Sequence, residues 1–446
     1  MTSPRLKLTR GRVAVAGLSI FLVIWVWAIA LLLWGAGGPN GLNMGADYSH
    51  TYSAIVALRH GQNPYDYHVL WRVQQSILKP LHLPFQRETP AVLIGTSPFY
   101  LWILQPLSWL PFQLSAVLYM FGSYALSGAA FFAVLNYFGW RRRLLPTALF
   151  LAAPQTIMAA YFGNTIDIVF LGIAFALPLL KRHPVLAGAC LSMSVLKIPA
   201  AAPIAMLILL FEAPDRGRVI WGFLGCYAVR NVITVAVVGW QPLFGHFKGL
   251  LGFTQSIALQ PNLASLSGIY VRNVGHAGRL GLEIASVAVA SGLTGWWYLR
   301  SREQPQSGLL GAAWLWGLWM LATPYAHFID EMVLVIPLVA LLGKDGERVS
   351  RWPCIAALYL AAGSIFLFSA QPDGVQLLWL PLVGLTACFA AGIPIAKRNR
   401  EAVARVALSV AGGGGALQLT RLMSPFPDNP LPVSHSMNVT EATTDS

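Results

Sequence analysis

The stretch VAVAGLSIFLVIWVWAIALLLWG, residues Val13–Gly35, contains no charged residue. A transmembrane helix needs about 20 consecutive apolar residues to cross the roughly 30 Å hydrocarbon core of a bilayer. The stretch is about twice as long as the apolar core of a signal peptide and lacks a convincing small-residue cleavage site. We therefore predict that it is a retained membrane span.

Comparable apolar runs recur along the chain almost to Ile395. Of the 446 residues, 56% are hydrophobic and 11% are charged, whereas a soluble domain carries about 25% charged residues. The runs are too long for the short alternating strands of a transmembrane barrel. The composition therefore predicts an all-α polytopic membrane protein.

The formal net charge of +13 could indicate a nucleic-acid partner, but the distribution of the basic residues argues against one. They form short clusters at the ends of the apolar runs, and short loops rich in Lys and Arg stay on the cytoplasmic side. We interpret the charge as a topology signal and expect no nucleic acid among the partners. The clusters are Arg5–Arg12, Arg141–Arg143, Lys181–Arg182, Arg216–Arg218, Arg300–Arg302, Lys344–Arg351 and Lys397–Arg400.

Placing every cluster inside gives about 10–12 membrane segments, including re-entrant helices, in one domain over residues 1–400. Pro98–Leu110 is too short to span and is predicted to dip into the membrane and return. Val185–Phe211 starts and ends inside, so it should consist of two half-helices broken around LKIPAAAP. Outer loops cover residues about 36–96 and 239–278, and residues 401–446 form a cytoplasmic, disordered tail. Seven of the 17 acidic residues and seven of the 9 histidines then fall on or near the outer face.

The first outer loop contains GADYSHTYSAIVALRHGQNPYDY, residues 45–67. Its spacing predicts an amphipathic helix that lies in the interface, with Tyr48 and Tyr52 at headgroup level. Asp47 would be partly desolvated next to the first span, which suits a general base; the alternative is a helix-capping Asp. Asp66 is interpreted as a turn residue.

Two further polar groups lie within apolar runs. In YFGNTIDIVF, Asn164 could cap a helix or face a polar cavity, while Asp167 lies one turn into the helix and needs a partner. Lys197 in the broken segment is an intramembrane cation, which indicates a functional site by default. Its partner could be a lipid-linked phosphate, or Asp167 in a structural ion pair.

The remaining candidates lie in two outer turns. TPYAHFID supplies Tyr325, His327 and Asp330; the last two are three residues apart and could share a helix face and contact a hydroxylated ligand. QPNLASLSGIYVRNVG supplies Asn262 and Arg272, and Arg272 could face a phosphate or a lipid headgroup.

Several kinds of chemistry have no support in the sequence. There is no P-loop, Rossmann fingerprint, GxSxG elbow or Cys/His cluster. We predict no cofactor and no bound metal, although a divalent ion is not excluded. The four cysteines, all in apolar runs, indicate neither a disulfide framework nor a zinc site; they are Cys190, Cys226, Cys354 and Cys388.

Taken in order, these motifs resemble glycosyltransferase family 87, a family of polytopic enzymes with the C-type glycosyltransferase fold. SPFY stands where members commonly have Tyr-Pro-Pro, and the Ser-Trp-His-His stretch of some mannosyltransferases is absent. The likeness runs from the first span to about residue 345. Its motifs are Asp47 and Tyr52, GQNPYD (Gly61–Asp66), SPFY (Ser97–Tyr100), Gly163-Asn164, HPVLAGACLSMSVLKIP (His183–Pro199), QPNLASLSGI (Gln260–Ile269) and TPYAHFID (Thr323–Asp330).

The resemblance implies that Asp47 is the catalytic base and that a polyprenyl-phosphate sugar is the donor. We expect transfer of a hexose, mannose above all, to a lipid- or glycan-linked hydroxyl at the outer face of a bacterial cytoplasmic membrane. Lys197, Arg272 and His327 would bind the donor phosphate. The residues expected to bind sugar or acceptor are Tyr52, Asn164, Asp167, Asn262, Tyr325 and Asp330.

The strongest alternative is a transporter or flippase of a lipid-linked sugar. Broken helices and an intramembrane Lys are also features of transporters. Transporters often contain paired internal repeats, and none is recognisable in this chain. The long polar and aromatic outer loop also favours chemistry at the surface.

Overall fold

A computed structural model describes residues 45–81, 95–257, 265–266, 275–301, 312–324 and 326–342. These residues belong to one compact unit and include no β-strand. The predicted first span and the predicted tail lie outside the described residues. The described α-helices are α1 (Ala46–Arg59), α2 (Tyr67–Leu78), α3 (Pro98–Leu104), α4 (Phe112–Tyr137), α5 (Leu144–Leu151), α6 (Pro154–Phe162), α7 (Ile166–Leu179), α8 (Pro184–Leu191), α9 (Ile198–Phe211), α10 (Arg216–Val238), α11 (Trp240–Ile257), α12 (Gly275–Ser301), α13 (Ala313–Ala322) and α14 (Val335–Leu342).

Within the described residues, α4 and α10 are each long and apolar enough to cross a membrane. Helices α5 and α6 make a third candidate span with a bend of 56° between them. The bend has a local cause: α6 begins with a proline, and Ala153 before it is extended (φ −67°, ψ 138°), as the residue before proline prefers to be. Together these helices confirm the all-α membrane class. Shorter apolar helices cover Ile166–Leu179, Pro184–Lys197, Ala201–Phe211 and Ala313–Ala322.

Both segments predicted to be re-entrant are short and broken. Helix α3 has 7 residues and runs into a 3₁₀ helix, Gln105–Trp109, that ends in the extended residue Leu110. In the second segment, α8 and α9 are separated by a 3₁₀ helix, Ser192–Lys197. Lys197 itself leaves helical geometry (φ −144°, ψ 64°), so the chain breaks at the cation as the sequence predicted.

Glycines let α8 pack directly against α10. A Cβ on Gly188 would come within 1.9 Å of the Val219 carbonyl oxygen, and one on Gly222 within 2.0 Å of the Val185 carbonyl oxygen. Such backbone contact needs residues without side chains and is typical of helix interfaces in membranes. It fixes the half-helix that leads to Lys197.

The first outer loop does form the predicted helix α1, but α1 is not an interfacial helix. Tyr48, Ala54 and Ile55 have no exposed surface, and Tyr52 is only 6% exposed. The Tyr48 hydroxyl is 2.6 Å from the Ser115 hydroxyl of α4. The prediction that these tyrosines lie at headgroup level was wrong, because helical spacing cannot distinguish a lipid neighbour from a protein neighbour.

Candidate active site

Asp47 lies in the first turn of α1, directly after a sharp turn of the backbone. Gly45 adopts a left-handed conformation (φ 71°) before the helix, and its N–H donates to the Tyr161 carbonyl at the end of α6 (2.8 Å). This bond fixes the start of α1 to the α6–α7 turn. Asp47 is exposed, so the expected desolvation is absent from the free protein and must come from substrate or lipid.

Gly163 makes this arrangement possible. It is left-handed (φ 71°), and a Cβ there would lie 2.5 Å from the Tyr48 Cβ, well inside van der Waals contact. Only glycine combines this backbone conformation with so close an approach. The next residue, Asn164, is therefore held beside α1.

The Asn164 side chain connects three parts of the chain. Its Nδ2 donates to Asp47 Oδ2 at 2.7 Å. Its Oδ1 accepts from the Ile166 N–H at the start of α7 (3.1 Å) and from Lys197 Nζ (2.8 Å). A Lys ammonium can only donate, which fixes which end of the amide faces which partner. Asn164 therefore binds the first N–H of α7, one residue before the Thr165 N-cap, and also directs a donor at the Asp47 carboxylate.

Lys197 is 6% exposed and forms an ion pair with Asp330 Oδ1, while Asp330 has no exposed surface. Asp330 Oδ2 accepts from the His327 backbone N–H at 2.9 Å, and the Asp330 N–H donates to the His327 carbonyl (2.9 Å). These bonds close the turn that begins the 3₁₀ helix Phe328–Leu334. A buried charge needs a partner and further hydrogen bonds, and Asp330 has both.

Asp47, Asn164, Lys197 and Asp330 thus form one continuous chain of polar contacts, which we call the base cluster. It joins α1, the α6–α7 turn, the break before α9 and the turn after α13. The exposed end of the base cluster is Asp47, and the buried end is Asp330. Among the described residues, only Asn164 forms a hydrogen bond with the Asp47 carboxylate, and only through Oδ2, so Oδ1 remains available to a ligand.

Asp167 lies outside this chain of contacts. It is fully buried and accepts a hydrogen bond from the Ser127 hydroxyl of α4. Lys197 still influences it electrostatically, but Lys197 pairs with Asp330, so the alternative of a Lys197–Asp167 ion pair is not what the structure contains. Ser127 is the partner that the sequence could not identify.

Two further predicted site residues, Tyr52 and His327, make contacts that differ from each other. The Tyr52 hydroxyl donates to the Leu110 carbonyl (2.6 Å), a contact with the end of the first broken segment. His327 is half-buried and joins the base cluster through its backbone. Arg272, Asn262 and Tyr325 lie outside the described residues, so their expected roles remain predictions.

His50 is a neighbour of Asp47 that the sequence analysis did not single out as a site residue. Gln74 Nε2 of α2 donates to His50 Nδ1 (2.9 Å). Burial lowers the pKa of His50, against the opposing effect of the Asp47 charge. His50 is therefore neutral at neutral pH and does not neutralise Asp47. Its position one helical turn after Asp47 is the signal that could have indicated it.

No three His, Cys, Asp or Glu side chains among the described residues are grouped closely enough to hold a metal ion. The expectation that the chemistry needs no metal remains a prediction. The chemistry that the base cluster itself supports is proton transfer at the exposed Asp47.

The all-helical membrane fold and the exposed Asp47 carboxylate of the base cluster define a membrane-embedded protein with a polar site beside its helices. The family model of glycosyltransferase family 87 matches residues 97–324, slightly more than half of the chain, and includes Asn164 and Lys197. The chain belongs to glycosyltransferase family 87. Among curated proteins compared with the chain, none matches.

Proposed function

We propose that this glycosyltransferase transfers a hexose from a polyprenyl phosphate to a lipid- or glycan-linked hydroxyl, and that the hexose is mannose. The reaction takes place at the outer face of a bacterial cytoplasmic membrane, in a multi-pass protein whose C-terminal tail is cytoplasmic. Membrane lipids surround the protein, and donor and acceptor both reach the site from the membrane or its surface.

The chemistry is a single displacement. The acceptor oxygen attacks the anomeric carbon while the bond from that carbon to the phosphate oxygen breaks, and the polyprenyl phosphate leaves with the electron pair. Asp47 takes the proton of the acceptor hydroxyl as the new glycosidic bond forms. One displacement without a covalent intermediate inverts the configuration at the anomeric carbon.

One observation carries this proposal: Asp47 is exposed, and its carboxylate is oriented by Asn164 at 2.7 Å, which itself binds Lys197 at 2.8 Å. A general base must be held in position with a free oxygen directed to the proton it removes. In the base cluster, Asn164 binds Asp47 Oδ2 and leaves Asp47 Oδ1 available to accept the proton.

The contacts also suggest roles for the other predicted site residues. Lys197 is already paired with a buried carboxylate, so we assign it mainly to hold Asn164, and its charge contributes to the phosphate site at longer range. Arg272 and His327 then bind the departing phosphate. Asp330, bound through both oxygens, acts as a positioning residue. Sugar and acceptor hydroxyls are assigned to Tyr52, Asn164, Asn262 and Tyr325. Asp167 has no exposed surface and binds Ser127, so its expected contact with a sugar is withdrawn.

The test is the Asp47→Asn variant, compared with Asp66→Asn as a matched control. Asp66 lies in the same loop and caps α2 by accepting from the His68 N–H at 2.9 Å, a role that Asn also fills. With radiolabelled polyprenyl-phosphate mannose and membrane lipid, wild type and Asp66→Asn should form a labelled product. Asp47→Asn should lose about 10²- to 10⁴-fold in rate, the usual contribution of a general base.

Two results would contradict the proposal. Substantial turnover by a folded Asp47→Asn protein would exclude Asp47 as the base. Movement of the labelled donor across a bilayer without any new glycosidic bond would show a flippase instead.

A further inference from the structure

A cavity lies at the end of α1 away from Asp47. It has a volume of about 310 Å³, at the lower end of the range of about 300–1,000 Å³ for small-molecule sites. Three parts of the chain form its walls: the GQNP turn after α1, the first broken segment, and the junction of α10 with α11. The GQNP turn is one of the stretches that resemble the family, and the proposed chemistry assigns it no role.

The lining of this cavity is polar but carries no charge. None of its twelve residues is Asp, Glu, Lys, Arg or His; amide side chains and indole rings stand among aliphatic ones. An anion such as a phosphate would find no cation there, and an acyl chain would leave the amides without hydrogen-bond partners. A ligand with many hydroxyl groups and an apolar face can bind the amides through the hydroxyl groups and the indole and aliphatic side chains through the apolar face. A saccharide has that chemistry.

The amide of Asn63 is held in place by the fold. Asn63 Oδ1 accepts from the Tyr65 N–H (3.1 Å), and Asn63 packs against Gly245 of α11, where a Cβ would lie 3.4 Å from its amide. Tyr65 is buried, with its hydroxyl donating to the Thr96 carbonyl (2.6 Å). Trp240, 60% exposed, and the exposed Gln241 form the open side.

The distance between this cavity and Asp47 determines which part of a substrate can bind in the cavity. Leu58 lines the cavity and lies eleven residues after Asp47 on the same helix, which is about 16 Å at 1.5 Å per residue. A sugar in the cavity is therefore remote from the hydroxyl that reacts. It must belong to a chain long enough to reach from one end of α1 to the other.

We propose that this cavity is a saccharide subsite that binds a neutral sugar residue of the acceptor, several residues away from the reacting hydroxyl. The inference rests on the proposed function for its biological meaning, because it makes the acceptor an oligosaccharide-bearing molecule. Helix α1 then acts as a spacer between the base and this distal subsite.

Binding can be measured without turnover. The full chain in lipid nanodiscs is titrated with mannose, mannobiose, mannotriose and mannotetraose, and contact with the protein is followed by saturation-transfer NMR. Saturable binding should occur in wild type and in Asp47→Asn. Trp240→Ala and Gln241→Ala should each weaken it roughly tenfold, because each removes one contact from the open side.

The controls match each substitution in residue type and exposure. Trp221 is 74% exposed on α10 and Gln113 is exposed on α4, and neither lines the cavity; Trp221→Ala and Gln113→Ala should leave binding unchanged. Absence of saccharide binding, or binding that Trp240→Ala and Gln241→Ala leave unchanged, would overturn the subsite.

Failure of the two proposals can be distinguished. Cavity-dependent binding by a protein that forms no product with polyprenyl-phosphate mannose would support the subsite and overturn only the proposed reaction. In an active protein, Gln241→Ala should raise KM for a long acceptor about tenfold and leave kcat/KM for a monosaccharide acceptor unchanged. Equal effects on both acceptors would overturn the subsite while leaving the reaction intact.

Discussion

At the scale of single residues, Asn164 is the member of the base cluster whose side chain must bind three different segments at once. One amide accepts from the first N–H of α7, accepts from Lys197 and donates to Asp47. The Asn carboxamide offers a donor and an acceptor in one planar group, and Asn carries it on a shorter side chain than Gln. The orientation of the Asp47 carboxylate consequently depends on a residue that need not touch the reacting atoms.

This dependence can be tested with Asn164→Asp. The new carboxylate still accepts from Lys197 but places a negative charge, instead of a donor, beside Asp47. Since a neighbouring like charge favours protonation of a carboxylate, the acidic limb of the pH–rate profile should move to higher pH. A shift of one pH unit lowers the rate on that limb about tenfold. Rates measured from pH 4 to 8 give the shift.

Asn164→Ala is the matched comparison, because it removes the same donor without adding charge. It should lower kcat and move the acidic limb to higher pH by less than Asn164→Asp does, because it removes a hydrogen bond to the carboxylate but adds no charge. A shift of the same size in both variants, or in neither, would contradict the role given to the Asn164 amide.

The sequence identified the members of the base cluster but not all of its contacts. Asp47, Lys197 and Asp330 stand out because charges are expensive in apolar surroundings, and Asn164 stands out as a potential cap. Ser127 gave no comparable signal, because a serine in an apolar helix is common and only packing shows that it lies beside Asp167. His50 gave only the weaker signal of its position one helical turn after Asp47.

At the scale of helices, the sequence predicted where the chain breaks better than what each helix contacts. The prolines and the lone cation of LKIPAAAP locate the break at Lys197 because their effects are local, whereas the bend before Pro154 was not predicted. Burial of α1 is not local. Its small residues, such as Ser53 and Ala54 with no exposed surface, permit close packing on every side, and spacing alone did not reveal this.

The approach of α1 to the α6–α7 turn gives a prediction about stability. Gly163→Ala combines left-handed strain with a clash 2.5 Å from Tyr48 Cβ, and should lower the free energy of unfolding by about 2–4 kcal/mol. Thermal unfolding in a mild detergent, followed by circular dichroism, would measure the change.

Gly61→Ala provides the control for the strain alone. Gly61 is also left-handed (φ +69°), but nothing lies within 4 Å of a Cβ placed there, so the cost should be about 1–2 kcal/mol. If both variants lose the same stability, the contact between Gly163 and Tyr48 is not what fixes the two segments.

At the scale of the whole molecule, the class of fold followed from composition, since so few charged residues leave no alternative to a membrane environment. The number and direction of spans depend on a weaker rule about basic loops. Among the described residues, two helices and one bent pair meet the length and hydropathy of a span. The direction in which they cross remains a proposal.

Helix α4 offers a direct test of that direction. In a variant without native cysteines, Gln62→Cys and Gln113→Cys, before the apolar centre of α4, should react with a membrane-impermeant maleimide in intact cells. Arg142→Cys, after the end of α4, should react only once the membrane is permeabilised, because Arg141–Arg143 is predicted to be cytoplasmic.

The outcome is decided by the pattern across the three positions. If Arg142→Cys reacts in intact cells as fast as Gln113→Cys, α4 does not carry the chain across the membrane. If only Arg142→Cys reacts in intact cells, the direction is reversed, and Asp47 would face the cytoplasm.

The ion pair between Lys197 and Asp330 also has a consequence for biosynthesis. A ribosome delivers Lys197 to the membrane long before Asp330 emerges, so the nascent protein must tolerate an uncompensated cation among its early helices. Leaving such a charge without its partner costs about 3–5 kcal/mol. A chain truncated upstream of Asp330 would keep that penalty permanently, which would mark it for the proteases that remove unfinished membrane proteins.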